Sequence, residues 1–113
     1  MHTQSPVPIG KAPEGFEPAN TTPIPDGVFE CLGDLSGTEL KVLLSIIRHT
    51  IGMKLGAAAI SLTQFEHRCG LARNTICIAL QSLENQGYII CQKRTAHTTF
   101  YSIRFKDAAE VVE

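Results

Sequence analysis

The chain has 113 residues, of which 43 % are hydrophobic and 19 % are charged, so it suits one small domain with a single modest core. No apolar run approaches the roughly 18 residues of a membrane helix, and the first residues lack the basic-then-apolar order of a secretory leader, so we expect no membrane contact and a cytoplasmic location. The four cysteines form no C-x-x-C pair and the four histidines are scattered, so we expect reduced thiols, no metal site and no cofactor.

Charge is unevenly distributed along the sequence. The net charge of −1 divides into −4 over residues 1–35, +6 over residues 36–106 and −3 over residues 107–113. A basic middle between acidic ends favours a polyanionic partner. An ordinary solvated surface is the alternative explanation of the same charges.

The beginning of the chain is rich in proline. All six prolines fall within the first 25 residues, where they remove backbone donors and interrupt helical patterns. We therefore predict a disordered arm over residues 1–21, a folded domain over residues 22–106 and an acidic tail over residues 107–113. Within the domain, the segment VFECLGDL predicts a short helix that ends near Gly33.

The segment LSGTELKVLLSIIRHTIG predicts the first long helix, which ends near Thr50. Ser36 and Glu39 have the spacing of a capping box, in which each side chain accepts a hydrogen bond from the other residue's backbone amide. Apolar residues then recur at helical spacing. We expect all of them in the core: Leu40, Val42, Leu43, Leu44, Ile46, Ile47 and Ile51.

A short strand in AAAIS and a second helix in SLTQFEHRCG follow. Ser61 and Gln64 form another capping box, and Gly70 occupies the position where a left-handed residue ends a helix. The side chains expected to face inward are Leu62, Phe65 and Cys69.

The third helix is predicted from about Arg73 to Gln86, with Gly87 as its stop. One face is apolar and is expected to be buried: Ile76, Ala79, Leu80 and Leu83. The opposite face has no acid before Glu84 and carries Asn74, Cys77, Ile78, Gln81 and Asn85, with Arg73 beside it.

YIICQKR and TFYSIRF are rich in β-branched and aromatic residues and predict two strands, which the short polar connector TAHT joins in a hairpin. The order is helix, short strand, helix, tight turn, helix and hairpin. This order predicts a mainly α fold with a small β-hairpin, of the winged helix-turn-helix type.

The third helix suggests binding to double-stranded DNA, because a helix in the major groove contacts bases mainly through its N-terminal residues. Arg73 could pair with guanine or with a phosphate, and Asn74 and Gln81 with adenine. The alternatives are a solvated polar helix face and, for the basic hairpin tip, protection of a sheet edge. The candidate DNA-binding residues are Arg73, Asn74, Thr75, Cys77, Ile78 and Gln81 on the third helix, Lys93, Arg94 and His97 on the wing, and Ser61 and Thr63 at the start of the second helix.

Three blocks stand out together: TPIPDGVFECLGDLSGTELKVLLSIIRHTIGM, ISLTQF and GLARNTICIALQSLENQGYI. They resemble the N-terminal domain of the phage replication protein O family over about residues 22–105. The first block is the specific part, whereas many winged-helix regulators share the last one. The resemblance implies a winged helix-turn-helix that binds double-stranded DNA, at a replication origin in the type case, often as a homodimer.

The sequence departs from that family at three points. Ala72 stands where the family usually has a serine N-cap, which would cost about 1 kcal/mol of helix stability. Ile78, Gln81 and Gln86 stand where relatives often carry lysine or arginine, which weakens salt-dependent affinity. Family members continue into a region that recruits the helicase machinery, so we do not expect this chain alone to be a complete initiator of that type.

Several roles remain open at this point. A small transcriptional or copy-number regulator fits as well as an origin-binding protein, and either role implies a replication or transcription protein as a further partner. A winged helix used for protein contact is a different class, favoured by the exposed positions of Cys77 and Ile78. We expect no enzyme, because phosphate loops, paired carboxylates in the folded middle and nucleophile–base spacings are missing. A thiol switch at Cys77 is a further hypothesis.

Overall fold

The computed structural model describes residues 20–104, which form a mainly helical structure with a small three-stranded antiparallel sheet. The helices are α1 (Asp26–Glu30), α2 (Gly37–His49), α3 (Leu62–Cys69) and α4 (Arg73–Asn85), with 3-10 turns at Leu32–Asp34 and Ile51–Met53. The strands are β1 (Ala58–Ala59), β2 (Ile89–Thr95) and β3 (Thr98–Ile103). Most of the predicted arm over residues 1–21 and all of the predicted tail over residues 107–113 lie outside the described residues.

The predicted capping boxes are confirmed at α2 and α3. The Ser36 amide donates to Glu39 Oε1 at 2.8 Å, and the Glu39 amide donates to Ser36 Oγ at 3.1 Å. The equivalent bonds between Ser61 and Gln64 measure 2.9 and 3.1 Å. Gly70 ends α3 with a φ of 66°, a left-handed conformation that glycine adopts without steric cost. The tight turn between α3 and α4 therefore forms as predicted.

Two predictions about the first part of the domain need correction. The helix predicted in VFECLGDL is α-helical only to Glu30, and the backbone then tightens into a 3-10 turn. Leu44 was expected in the core but is 37 % exposed. The buried arc of α2 is centred near Ile46, and Leu44 is rotated about 160° from it. Leu44 therefore lies in a shallow groove on the surface, beside Lys41 and Arg48.

The core forms where α2, α3 and α4 meet the sheet. Phe65 is the largest fully buried side chain, and its ring meets the ring of Tyr101 edge-to-face, with 5.3 Å between centroids and 88° between planes. The predicted apolar face of α4 is buried, as expected: Ile76, Ala79, Leu80 and Leu83. The aromatic pair joins α3 to the central strand of the sheet.

β3 is the central strand of the sheet, in the order β1-β3-β2. The register pairs Cys91 and Ala58 with Tyr101 from either side, and Lys93 with Thr99. An irregularity between Lys93 and Thr95 precedes the turn. Within residues 20–104, none of the helices combines the length and apolar character that a membrane crossing requires.

A polar network fixes the far end of α4 against the start of α2. The Ser82 hydroxyl donates to Glu39 Oε2, and Gln86 Nε2 donates to Ser82 Oγ at 3.0 Å. The hydrogen bond from Ser82, followed by those from Ser36, lowers the pKa of Glu39 below its ordinary value of 4.5. The ionised Glu39 carboxylate therefore accepts hydrogen bonds both from the N-cap of α2 and from α4.

Replacing Glu39 with glutamine leaves one acceptor oxygen for two donors, so we expect the free energy of unfolding at pH 7 to fall by about 1 kcal/mol. Because the pKa of Glu39 is lower in the folded chain, its stabilisation is present at neutral pH and is lost as the pH falls below about 4.5. Urea unfolding at several pH values measures both effects. Glu30→Gln, at the exposed end of α1, is the control, and equal acid sensitivity of the two variants would contradict the assignment.

Candidate nucleic-acid interface

A cleft of about 530 Å³ opens between the start of α3, the first turns of α4 and the tip of the β2–β3 hairpin. Its lining includes six of the predicted DNA-binding residues from three separate parts of the sequence: Ser61, Thr63, Arg73, Cys77, Lys93 and His97. Apolar side chains, including Leu80 and Tyr101, complete the lining, which contains no carboxylate. We call this space the interface cleft.

Arg73 is held across the turn between α3 and α4. Its Nε and Nη2 atoms each lie 3.3 Å from a carboxylate oxygen of Glu66, and Nη2 donates to Thr63 Oγ1 at 3.2 Å. The hydrogen bonds with Glu66, and then its charge, raise the pKa of Arg73. An exposed ion pair of this kind adds little stability. Its effect is to hold the guanidinium beside α3, at the wall of the interface cleft.

The two basic residues of the hairpin lie on opposite faces of the sheet. Successive side chains of a strand alternate between faces, so Lys93 shares the helix-facing side with Cys91, opposite Thr99. Arg94 lies on the other side, with its Cζ atom 5.3 Å from the centre of the Phe100 ring, a cation–π contact. Lys93 and His97 therefore line the interface cleft, whereas Arg94 does not.

A second set of predicted residues lies outside the cleft, on the exposed side of α4. Asn74, Ile78 and Gln81 are all exposed and follow each other at i, i+4 and i+7 along the helix. We call these three residues the outer stripe. Ile78 is 61 % exposed, the highest value among the large apolar side chains of the described chain. Thr75 is half-buried and lies on the side of α4 away from the interface cleft, about 160° around the helix from Cys77.

The acidic residues of the described chain are concentrated away from the cleft. Residues 20–39 carry four acids and no base, whereas residues 40–104 carry eight bases and two acids. Burial and, after it, nearby groups including Asp34 and Glu39 raise the pKa of Tyr88. Tyr88 lies three residues beyond the C-terminal end of α4, and Arg73 lies at the other end of the helix, about 18 Å away along its axis. The N-terminal end of α4 is therefore the more electropositive end.

Three polar residues in or beside the interface cleft were not among the predicted DNA-binding residues: Thr99 and Tyr101, which line the cleft, and Glu66, which pairs with Arg73. Glu66 meets Arg73 only because the α3–α4 turn folds back, and Thr99 faces Lys93 only through the strand register. Burial raises the pKa of Tyr101 to about 12, so its hydroxyl stays protonated at the edge of the cleft. No periodic pattern in the sequence carries this information.

The four cysteines differ in exposure: Cys31 and Cys69 are buried, Cys91 is partly buried and Cys77 is exposed. Burial raises the pKa of Cys91 to about 11 and also raises the pKa of Cys69, which leaves both thiols protonated. Cys77 is exposed and lines the interface cleft, where the thiol-switch hypothesis remains a prediction. Among the described residues, no three His, Cys, Asp or Glu side chains are grouped so that they could hold a metal ion.

The start of α4 lacks a side-chain cap, because its N-cap residue is Ala72. Ala72 already has the extended backbone of an N-cap, with φ −69° and ψ 152°. We therefore expect Ala72→Ser to raise the free energy of unfolding by about 1 kcal/mol in urea titrations. Ala96→Ser, in the hairpin turn where no helix begins, is the control. An equal increase in both variants, or no increase in Ala72→Ser, would contradict the capping argument.

Comparison with known proteins does not identify a family for this chain. No family model matches the chain, and no curated protein matches it. The resemblance to the replication protein O family therefore remains a prediction.

Proposed function

We propose that this chain is a winged helix-turn-helix domain that binds double-stranded DNA, with α4 in the major groove and the β2–β3 hairpin as its wing. The observation that carries the proposal is the interface cleft, where the start of α3, the N-terminal turns of α4 and the hairpin tip converge around basic and hydroxyl side chains. A DNA backbone separates each major groove from the adjacent minor groove. A helix in one groove and a hairpin over the other would bring that backbone across the cleft.

The chemistry of the cleft suits a sugar–phosphate backbone. Lys93 and Arg73 supply positive charge, and Ser61, Thr63 and Thr99 supply hydroxyl groups. Phosphate contacts of this kind position a protein on DNA without selecting a sequence. No carboxylate lines the cleft, and the nearby carboxylate of Glu66 is paired with Arg73, which limits repulsion of a phosphate.

The biological context is part of the proposal and follows from the family resemblance. A replication origin is the DNA implied by that resemblance, and an operator bound by a transcriptional or copy-number regulator is the alternative. Helix-turn-helix dimers bind half-sites about one helical turn apart. Half-sites at that spacing in selected DNA would support a two-fold dimer.

A second candidate function is protein contact through α4. It is favoured by the exposed Ile78 and by a helix whose one cation, Arg73, is paired with Glu66. A partner held this way would stay bound at high salt, whereas DNA bound through phosphates would be released. The two candidates therefore differ in the salt dependence of binding.

Fluorescence anisotropy with a mixed pool of duplexes at several salt concentrations tests the DNA proposal. Lys93→Ala should weaken binding to all duplexes alike and reduce the salt slope by about 0.9, the value for one lost phosphate contact.

Lys41→Ala removes the same charge from the groove between α2 and α3, which Arg48 and Arg68 also line. This control should change binding little. Absence of binding at low salt would reject the proposal, and equal losses in the two variants would show that the cleft is not the contact surface.

A further inference from the structure

We infer that the base pairs contacted by α4 are mainly A·T, and that Ile78 contacts the methyl group of a thymine. The inference rests on the proposed function and adds the type of base pair that the domain would recognise. It depends on two features of the described structure: the position of the Arg73 guanidinium and the chemistry of the outer stripe.

Arg73 is the residue of α4 best suited to guanine, whose two major-groove acceptors match a guanidinium. In the structure this group lies against Glu66 and Thr63, with three hydrogen bonds of 3.2–3.3 Å. It is directed to the wall of the interface cleft, where the DNA backbone would pass. Arg73 is therefore placed to contact a phosphate, and α4 has no other cation with which to contact guanine.

The outer stripe presents three uncharged side chains in a line. At 100° per residue, Asn74, Ile78 and Gln81 fall within about 60° of arc, and they extend about 10 Å along the helix axis. That length equals the rise of about three base pairs. The outer stripe of α4 is therefore long enough to contact the edges of about three consecutive base pairs.

The chemistry of the outer stripe matches adenine and thymine. The side-chain amides of Asn74 and Gln81 can donate to N7 and accept from N6 of adenine. Between them, Ile78 presents a side chain that is 61 % exposed. The thymine methyl is the apolar group at the major-groove edge of the bases. Against a G·C pair, Ile78 would cover polar groups without satisfying them.

Selection from a random duplex library with the full chain, followed by anisotropy on the selected duplex, tests the inference. We expect A·T pairs at the positions protected by α4. Deoxyuridine in place of thymidine removes only the methyl group, and we expect it to weaken binding by about fourfold per contacted methyl.

Two variants locate the contact. Ile78→Ala should bind the thymidine and deoxyuridine duplexes equally. Ile90→Ala is the matched control, since Ile90 is also exposed, at 36 %, but lies on the hairpin; it should keep the difference. Arg73→Ala should weaken binding to every duplex and leave the selected sequence unchanged.

The outcomes separate the inference from the proposed function. Selected sites rich in G·C, or equal binding of thymidine and deoxyuridine duplexes by the unmodified chain, would overturn the inference while leaving DNA binding intact. An altered preference in Arg73→Ala would overturn the placement of Arg73 on the backbone. Failure to bind any duplex at low salt would reject the proposed function and the inference together.

Discussion

The edge-to-face contact between the rings of Phe65 and Tyr101 joins the helices to the sheet. Phe65 is fully buried on α3, and Tyr101 lies in the strand that pairs with both other strands of the sheet. The contact therefore sets the position of the whole hairpin relative to the helices. Because Tyr101 also lines the interface cleft, the same contact determines the shape of that cleft. The proposed DNA-binding surface is thus a consequence of how the core packs.

Three sides of α4 have different surroundings. One face is buried in the core, a second faces the interface cleft through Cys77, and a third is the uncharged outer stripe around Ile78. The polar network at Glu39 and Ser82 holds the far end of the helix, so its N-terminal end is presented in a defined orientation. In the proposed function, the cleft and hairpin supply the charge that the outer stripe lacks. Under that proposal, affinity for the backbone and selection of the bases would reside on different sides of α4.

Much of the secondary structure could be predicted from the sequence because it follows from local signals. Capping boxes begin α2 and α3, glycine at position 70 ends α3, and apolar spacing defines the buried face of α4. Leu44 could not be placed correctly, because the direction from which the other elements pack decides which arc of a wide apolar face is buried. The pairing of Arg73 with Glu66, and which of Lys93 and Arg94 faces the helices, depend on tertiary folding. Sequence spacing alone does not contain them.

In the proposed function, the start of α3, the exposed sides of α4 and the hairpin tip form one surface for double-stranded DNA. An NMR titration of the ¹⁵N-labelled chain with duplex DNA at low salt tests it most directly. We expect amide signals from residues 61–63, 73–81 and 93–97 to shift together at the same DNA concentration and to return as salt is added. Shifts confined to the groove of Lys41, Arg48 and Arg68, or no shifts at any salt concentration, would contradict it.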